Sequence, residues 1–195
     1  MIIIRHRRNT VAELEATEHG YGIEVDIRSF GDALVTHHEP FVKGPLFDDW
    51  LQSFHHKTLI LNVKEEGLED RVLDLMRKHG ITDFFFLDQS FPFLVKTAGT
   101  GEKRCAVRVS EFESIETAMS LAGKVDWIWV DCFTRFPLAH ASAARLVNAG
   151  FKLCIVSPEL QGRHAASEVP LMRQLLQKED IPFHAVCTKE PKLWS

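Results

Sequence analysis

Two acidic residues, Glu24 and Asp26, lie two positions apart in a run rich in β-branched residues. On a strand their side chains project from the same face, because alternate residues point to the same side. Two neighbouring carboxylates repel one another unless a cation neutralises them or one is protonated. Oxygen ligands favour Mg²⁺ or Ca²⁺, whereas zinc prefers His and Cys. The pair therefore predicts a divalent metal site, with a solvated face of an antiparallel sheet as the alternative.

Two histidines, His37 and His38, follow the acidic pair within the same stretch of chain. The segment 33–36 is predicted to be extended after a short turn, which brings both imidazoles to the end where the carboxylates lie. Imidazole titrates near neutral pH and is the commonest side chain for proton transfer. The stretch as a whole predicts a metal site with an acid/base group beside it.

The composition limits the classes of protein to which the chain can belong. A length of 195 residues with 45% hydrophobic and 26% charged residues predicts a single globular domain spanning residues 1–195. The net charge of −4 argues against a nonspecific nucleic-acid binder. No apolar run is long enough for a membrane span or a signal sequence, so a cytoplasmic protein is predicted. The cysteines have no CxxC spacing and are predicted to be buried thiols: Cys105, Cys132, Cys154 and Cys187. The sequence does not specify an oligomeric state.

Short apolar runs alternate with segments of helical periodicity along the whole chain. Three glycines, Gly20, Gly80 and Gly150, each follow a helical pattern and precede a strand, as expected at helix C-termini. The eight strand candidates are Ile2–His6, Gly22–Arg28, Thr58–Lys64, Asp83–Asp88, Lys103–Ser110, Asp126–Asp131, Phe151–Ser157 and His184–Thr188. Eight such units predict a (β/α)8 TIM barrel with short loops, because typical barrels have about 250 residues. A doubly wound open sheet is the alternative.

Polar residues stand at the C-terminal end of each predicted strand. In a barrel these ends converge on one face, where barrel enzymes place their chemistry. The residues are His6, Glu24, Asp26, Asn62, Lys64, Asp88, Arg108, Asp131, Ser157, Glu159, Thr188 and Lys189.

Six short segments, in order along the chain, resemble motifs of the glycerophosphodiester phosphodiesterases among the phosphatidylinositol phospholipase C-like barrels. The matching segments are His6-Arg7, Asn9-Thr10, Glu24-Val25-Asp26, Leu34 to Pro40, Asn62-Val63-Lys64 and Cys187 to Pro191. The resemblance implies a TIM-barrel, metal-dependent phosphodiesterase that hydrolyses a glycerophosphodiester-like small molecule to a phosphomonoester and an alcohol.

The resemblance also implies roles for individual residues. His6 and His38 correspond to the acid/base pair, and Glu24 and Asp26 correspond to ligands of a divalent metal, Mg²⁺ or Ca²⁺. Two basic residues, Arg7 and Lys64, would neutralise the phosphodiester, whose charge must be offset most strongly in the transition state.

The sequence departs from the family pattern at several positions. Arg8 replaces the glycine of His-Arg-Gly, and Asn62 stands where the family has a third metal-binding Glu. An amide oxygen is a ligand without charge, so the metal is expected to bind more weakly. The family's long insertion after the second strand is absent. A barrel that binds a phosphorylated ligand without turnover, or serves as a partner subunit, is therefore the alternative function.

Other polar and aromatic residues carry weaker predictions. Arg108 and Glu159 are predicted substrate contacts, with a structural ion pair as the alternative. The tryptophans are predicted to be packing groups: Trp127, Trp129 and Trp194. The pair His55-His56 precedes a strand and is predicted to be exposed, without partners for a metal.

Overall fold

The computed structural model describes all residues, Met1–Ser195. Its strands are β1 (Ile2–Arg5), β2 (Gly22–Phe30), β3 (Ala33–Thr36), β4 (Leu59–Val63), β5 (Phe84–Leu87), β6 (Ala106–Val109), β7 (Trp127–Val130), β8 (Lys152–Val156) and β9 (Ala185–Thr188). Its α-helices are α1 (Val11–Glu15), α2 (Phe47–Gln52), α3 (Glu69–His79), α4 (Phe91–Gly99), α5 (Ile115–Met119), α6 (His140–Asn148) and α7 (Ala165–Lys178). Two short 3₁₀ helices span Pro158–Gln161 and Pro191–Leu193.

The alternation of strands and helices defines the fold as a (β/α)8 barrel. The fold predicted from the sequence is confirmed. Seven of the eight strand candidates contain a whole strand, and β2 extends beyond its candidate, Gly22–Arg28, to Phe30. One additional strand, β3, lies outside the eight parallel strands. It pairs antiparallel with β2 and forms a hairpin with it. None of the helices is long and apolar enough to cross a membrane.

Two compact units make up the chain. The first comprises Met1–Ile4 and Gly101–Ser195, and the second comprises Arg5–Thr100. In the second unit β2 pairs parallel with β4, and β4 pairs parallel with β5. In the first unit β6, β7, β8 and β9 pair in that order, also in parallel. The prediction of a single domain over 1–195 stays a prediction.

The strands are buried because their sequences are apolar on both faces. All residues of β4 (LILNV), β5 (FFFL) and β7 (WIWV) are buried, as expected for parallel strands covered on both sides. The predicted packing role of Trp127 and Trp129 is consistent with their burial, and the four free cysteines are buried as predicted.

Local sequence signals fix the ends of the helices. Thr10 and Glu13 form a reciprocal capping box at the start of α1, which satisfies backbone N–H groups of the first turn. Gly80 ends α3 in the left-handed conformation, with φ of 66°, as predicted from the glycine after a helical pattern.

Candidate active site

The acidic pair lies in β2, where both side chains project from the same face of the strand, as predicted. Glu24 and Asp26 are both fully buried. Asp26 pairs in register with Asn62 of β4, so the three side chains come together at neighbouring strands. Two buried carboxylates at this spacing require compensation, because each loses its hydration.

Hydrogen bonds compensate Glu24 on both of its oxygens. The side-chain amide of Asn62 donates to Glu24 Oε1 at 2.7 Å, and the backbone N–H of Arg7 donates to Oε2 at 2.6 Å. Burial and the adjacent Asp26 charge still raise the pKa of Glu24 to about 7, against the opposing effects of Asn62, Arg7 and Lys64. The carboxyl therefore exchanges its proton near neutral pH.

Two basic side chains and one amide surround Asp26. Arg7 Nε lies 3.2 Å from Asp26 Oδ2, and Lys64 Nζ lies 3.4 Å from Oδ1. Asn9 makes a two-point contact: its amide donates to Oδ2 at 2.8 Å, and its carbonyl oxygen accepts the backbone N–H of Asp26 at 2.9 Å. The carboxyl group is therefore held in one orientation, between two basic side chains.

The imidazole of His6 lies at the edge of this group. His6 follows β1, and its Nε2 is 3.7 Å from Glu24 Oε2. Arg7, the next residue, adopts a positive φ of 52°, an uncommon conformation for a side chain other than Gly or Asn. The turn is fixed by Trp50, whose buried indole N–H donates to the carbonyl of Arg8 at 2.9 Å. This turn directs the backbone N–H of Arg7 to Glu24 and its side chain to Asp26.

The two histidines after β3 contact Glu39. His38 Nδ1 lies 2.6 Å from Glu39 Oε1, and His37 Nδ1 accepts the backbone N–H of Glu39 at 3.0 Å. The structure therefore does not place His38 against the acidic pair. Its backbone carbonyl accepts Arg28 Nε at 2.8 Å, which ties this loop to β2.

The acidic pair and Asn62 bring together the side-chain oxygens that a divalent metal site would need. No group of three or more His, Cys, Asp or Glu side chains is arranged to hold a metal ion. Two buried oxygens of the set, Asp26 Oδ1 and Asn62 Oδ1, nevertheless accept no hydrogen bond. Such atoms suit a cation that takes oxygen ligands, so the residues fit Mg²⁺ or Ca²⁺ with few charged ligands. The metal predicted from the sequence stays a prediction.

The predicted substrate contacts Arg108 and Glu159 belong to the other unit and are engaged there. Glu159 accepts hydrogen bonds from Ser157, from Thr188 Oγ1 at 2.5 Å and from the backbone of Lys189 at 3.0 Å. Arg108 NH1 lies 3.6 Å from the buried Asp131. Arg108 therefore has the ion-pair contact of the structural alternative, whereas Glu159 accepts hydrogen bonds from hydroxyl and backbone groups. Their contacts with a substrate stay predictions.

Two residues near the acidic pair, Asn9 and Asp88, have no individual role predicted from the sequence. Asn9 belongs to the quoted Asn9-Thr10 motif, which was the available signal for its contact with Asp26. Asp88, after β5, accepts a hydrogen bond from Lys64 Nζ at 2.9 Å. Its position at a strand end was the available signal, but the sequence did not show which strand lies beside it.

The fold is a (β/α)8 barrel with an acidic pair in β2, an imidazole and a guanidinium group after β1, and an ammonium group after β4. Two similar structures come from Agrobacterium tumefaciens. The first, a glycerophosphodiester phosphodiesterase, has 15% identity and a TM-score of 0.68, with 100% of this chain and 98% of that chain covered. The second, a glycerophosphoryl diester phosphodiesterase, has 14% identity and a TM-score of 0.69, with 99% and 95% covered.

A third similar structure is a glycerophosphoryl diester phosphodiesterase from Parabacteroides distasonis. It has 12% identity and a TM-score of 0.69, and the match covers 98% of this chain and 84% of that chain. No protein-family profile matches the sequence, and no curated protein matches it. At these identities the similarity establishes the shared barrel fold, which is the fold that the resemblance implied.

Proposed function

We propose that the chain is a metal-dependent phosphodiesterase that hydrolyses a glycerophosphodiester-like molecule to a phosphomonoester and an alcohol. The observation that carries the proposal is a cluster of basic, acidic and imidazole side chains. In it, His6 and Arg7 after β1 and Lys64 after β4, at the C-terminal ends of these strands, meet Glu24 and Asp26 of β2. Barrel enzymes perform their chemistry at this end of the strands, and a cluster of perturbed charges there is a typical active site. The similar structures with phosphodiesterase names support the same proposal.

The basic residues bind and orient the phosphodiester. Arg7 and Lys64 already lie within ion-pair distance of Asp26, so the phosphate would share cations whose positions are set by the protein. Such preorganised charge contributes most when negative charge develops on the phosphoryl oxygens. The side chain of Arg7 is 40% exposed and that of Lys64 is 15% exposed, so Arg7 is the more accessible of the two.

Proton transfer is assigned to the imidazoles. His6 Nε2, beside Glu24, would exchange a proton with the attacking or the leaving oxygen, and His38 would act as its counterpart. In the structure His38 contacts Glu39, so its role requires the imidazole to leave that carboxylate.

Glu24, Asp26 and Asn62 would hold Mg²⁺ or Ca²⁺. A bound divalent cation would supply charge neutralisation and Lewis-acid polarisation of a phosphoryl oxygen. The partner is a small-molecule phosphodiester and not a nucleic acid, and the four buried free cysteines suit a reducing, cytoplasmic environment.

Hydrolysis of glycerophosphocholine with added Mg²⁺ or Ca²⁺ tests the proposal. Turnover is expected from the wild type, and it should be lost with a chelator or in Asp26→Ala. The matched control is Asp74→Asn, which removes an exposed carboxylate from α3. Turnover by Asp26→Ala at the wild-type rate would contradict the assignment.

A phosphate-binding barrel without turnover is the second candidate. It is favoured by two observations: Asn62 in place of a charged ligand, and the contact of His38 with Glu39. Binding of glycerol 3-phosphate without hydrolysis of any phosphodiester would support this candidate.

A further inference from the structure

The ammonium group of Lys64 lies between two carboxylates of different exposure. Asp26, on the inner side, is fully buried and 3.4 Å from Nζ. Asp88, on the other side, has a side chain that is 24% exposed and lies at 2.9 Å. The shorter contact is therefore made by the carboxylate that solvent reaches.

The backbone of Asp88 is held in an uncommon conformation. Asp88 directly follows β5, and its φ is 61°, in the left-handed region, which Asp and Asn enter more readily than most residues other than Gly. Asn62 of β4 pairs in register with Leu87 of β5, so Asp88 lies next to the end of β4, and its carboxylate reaches the ammonium group of Lys64.

Among the Arg, Lys, Asp and Glu side chains described around Lys64, positive charges do not outnumber negative charges. Arg7 and Lys64 carry two positive charges, whereas Glu24, Asp26 and Asp88 carry three negative charges when ionised. An incoming phosphate must therefore compete for Lys64 with a carboxylate that is already bound. The competitor on the accessible side of the ammonium group is Asp88.

We infer that Asp88 is a specificity-determining counter-ion, which occupies the anion position of Lys64 until a phosphate group displaces it. The inference rests on the proposed function. Its consequence is discrimination by charge: the Asp88 carboxylate opposes a dianionic phosphomonoester more strongly than a monoanionic phosphodiester, because repulsion grows with ligand charge. Asp88 would thereby favour the substrate over the product of the proposed reaction.

Binding measurements test this inference without turnover. NMR chemical-shift titrations at about pH 8 would compare dimethyl phosphate, a monoanion, with methyl phosphate, a dianion whose second pKa is about 6. A chelator is present throughout, so the readout does not depend on a metal. The variant is Asp88→Asn, because this substitution removes the charge and Asn tolerates the left-handed backbone conformation. Asp74→Asn is the control for the same change of charge at an exposed position.

Asp88→Asn is expected to bind dimethyl phosphate about two- to fivefold more tightly, the range of a partly exposed ion pair. The gain for methyl phosphate should be larger, and both gains should vanish when Lys64→Met is added. Wild-type affinities in Asp88→Asn, equal gains in Asp74→Asn, or gains that persist without Lys64 would each overturn the inference. If Asp88→Asn does not fold, Asp88→Gly carries the same expectation, since Gly adopts positive φ freely.

The result is separable from the proposed function. Absence of phosphodiester turnover by the wild type would contradict that function, while the titrations would still report the effect of Asp88 on phosphate binding. Turnover by the wild type combined with unchanged binding in Asp88→Asn would remove the role of Asp88 alone.

Discussion

His6 and His38 differ in their surroundings, although the resemblance gives them complementary roles. His6 lies 3.7 Å from a buried carboxylate, whereas His38 contacts the exposed Glu39. The proposed role of His6 in proton transfer agrees with this position beside a buried carboxyl group. His38 is not beside one, and its role depends on the conformation of the loop after β3.

His6→Ala and His38→Ala should each lower kcat/KM for the phosphodiester by about 10²- to 10⁴-fold, the usual contribution of a positioned acid or base. His37→Ala should lose much less. The double variant of His6 and His38 should be little worse than either single variant, because the two groups act in one cycle. An inactive His37→Ala with an active His38→Ala would show that the assignment after β3 is wrong by one residue.

Glu24 links the pH to the stability of the metal-free protein. Its folded-state pKa is raised from 4.5 to about 7, chiefly by burial and next by Asp26. Protonated Glu24 contributes favourably to the free energy of unfolding. This contribution is fully present below the pKa of Glu24 in the unfolded chain and is lost as the pH rises through its pKa in the folded protein. With a chelator present, the free energy of unfolding should therefore fall between about pH 5 and pH 8, by on the order of 3 kcal/mol.

Glu24→Gln should abolish this fall, because the amide does not titrate. Urea unfolding at several pH values measures the slope, and Glu18→Gln, on the surface, is the matched control. The Gln amide also replaces one acceptor oxygen by a donor, which changes the stability by a similar amount at all pH values, so the slope carries the test. A slope unchanged from the wild type would mean that Glu24 is ionised throughout.

At the scale of elements, a tight loop holds the histidines after β3. Its ends meet where the N–H of Thr36 donates to the carbonyl of Pro45 at 2.9 Å. A Cβ atom added to Gly44 would lie 2.4 Å from the carbonyl oxygen of Thr36, a backbone atom that cannot rotate away. The glycine is therefore required for the close approach of the loop to β3.

Gly44→Ala should lower the free energy of unfolding by about 1–3 kcal/mol, the usual cost of an overpacked site. It should also lower phosphodiesterase activity, because the loop that carries His38 must shift. Gly20→Ala is the control, since no atom lies within 4 Å of its added Cβ. Thermal unfolding and kcat/KM measure the two effects, and equal behaviour of the two variants would contradict the packing argument.

The strands were predictable from the sequence because each is a short apolar run that ends in polar residues. The hairpin strand β3 and the αL residue after α3 were also predictable, from extended residues after a turn and from Gly80. The hydrogen bonds of the site were not. Asn62 donates its amide to Glu24, and Lys64 bridges Asp26 and Asp88, which depend on the lateral order of β2, β4 and β5. Periodicity along one strand does not encode that order.

The prediction for His55-His56 illustrates the same limit. Both were expected to be solvated, and His55 is exposed. His56 instead packs 5.0 Å from the ring of His19, and its Nε2 contacts the carbonyl of Thr17 at 2.9 Å. His19 follows α1, far from His56 in sequence, so only the folded chain brings the rings together.

At the scale of the whole molecule, each of the two units contains a histidine whose neutral form is favoured by folding. Burial, followed by the nearby His19 and His55, lowers the pKa of His56, against an opposing hydrogen bond to Thr17. Burial, followed by Lys152 and the N-terminal amine, lowers the pKa of His184. His184 Nδ1 also accepts the backbone N–H of Leu153 at 3.0 Å, a bond that a proton on Nδ1 would abolish.

These two shifts predict the acid sensitivity of the protein. A histidine with a lowered folded-state pKa stabilises the fold above the unfolded pKa of 6.5, and the contribution is lost as pH falls through the folded value. His56→Gln and His184→Gln should therefore each show a smaller loss of stability between about pH 7 and pH 5 than the wild type, followed by circular dichroism in urea. The control, His164→Gln, changes an exposed histidine and should retain the wild-type loss.

Because the two histidines lie in different units and share no partner, their effects on the slope should add in the double variant. A double variant no flatter than either single variant would show that a group in one unit alone governs acid unfolding.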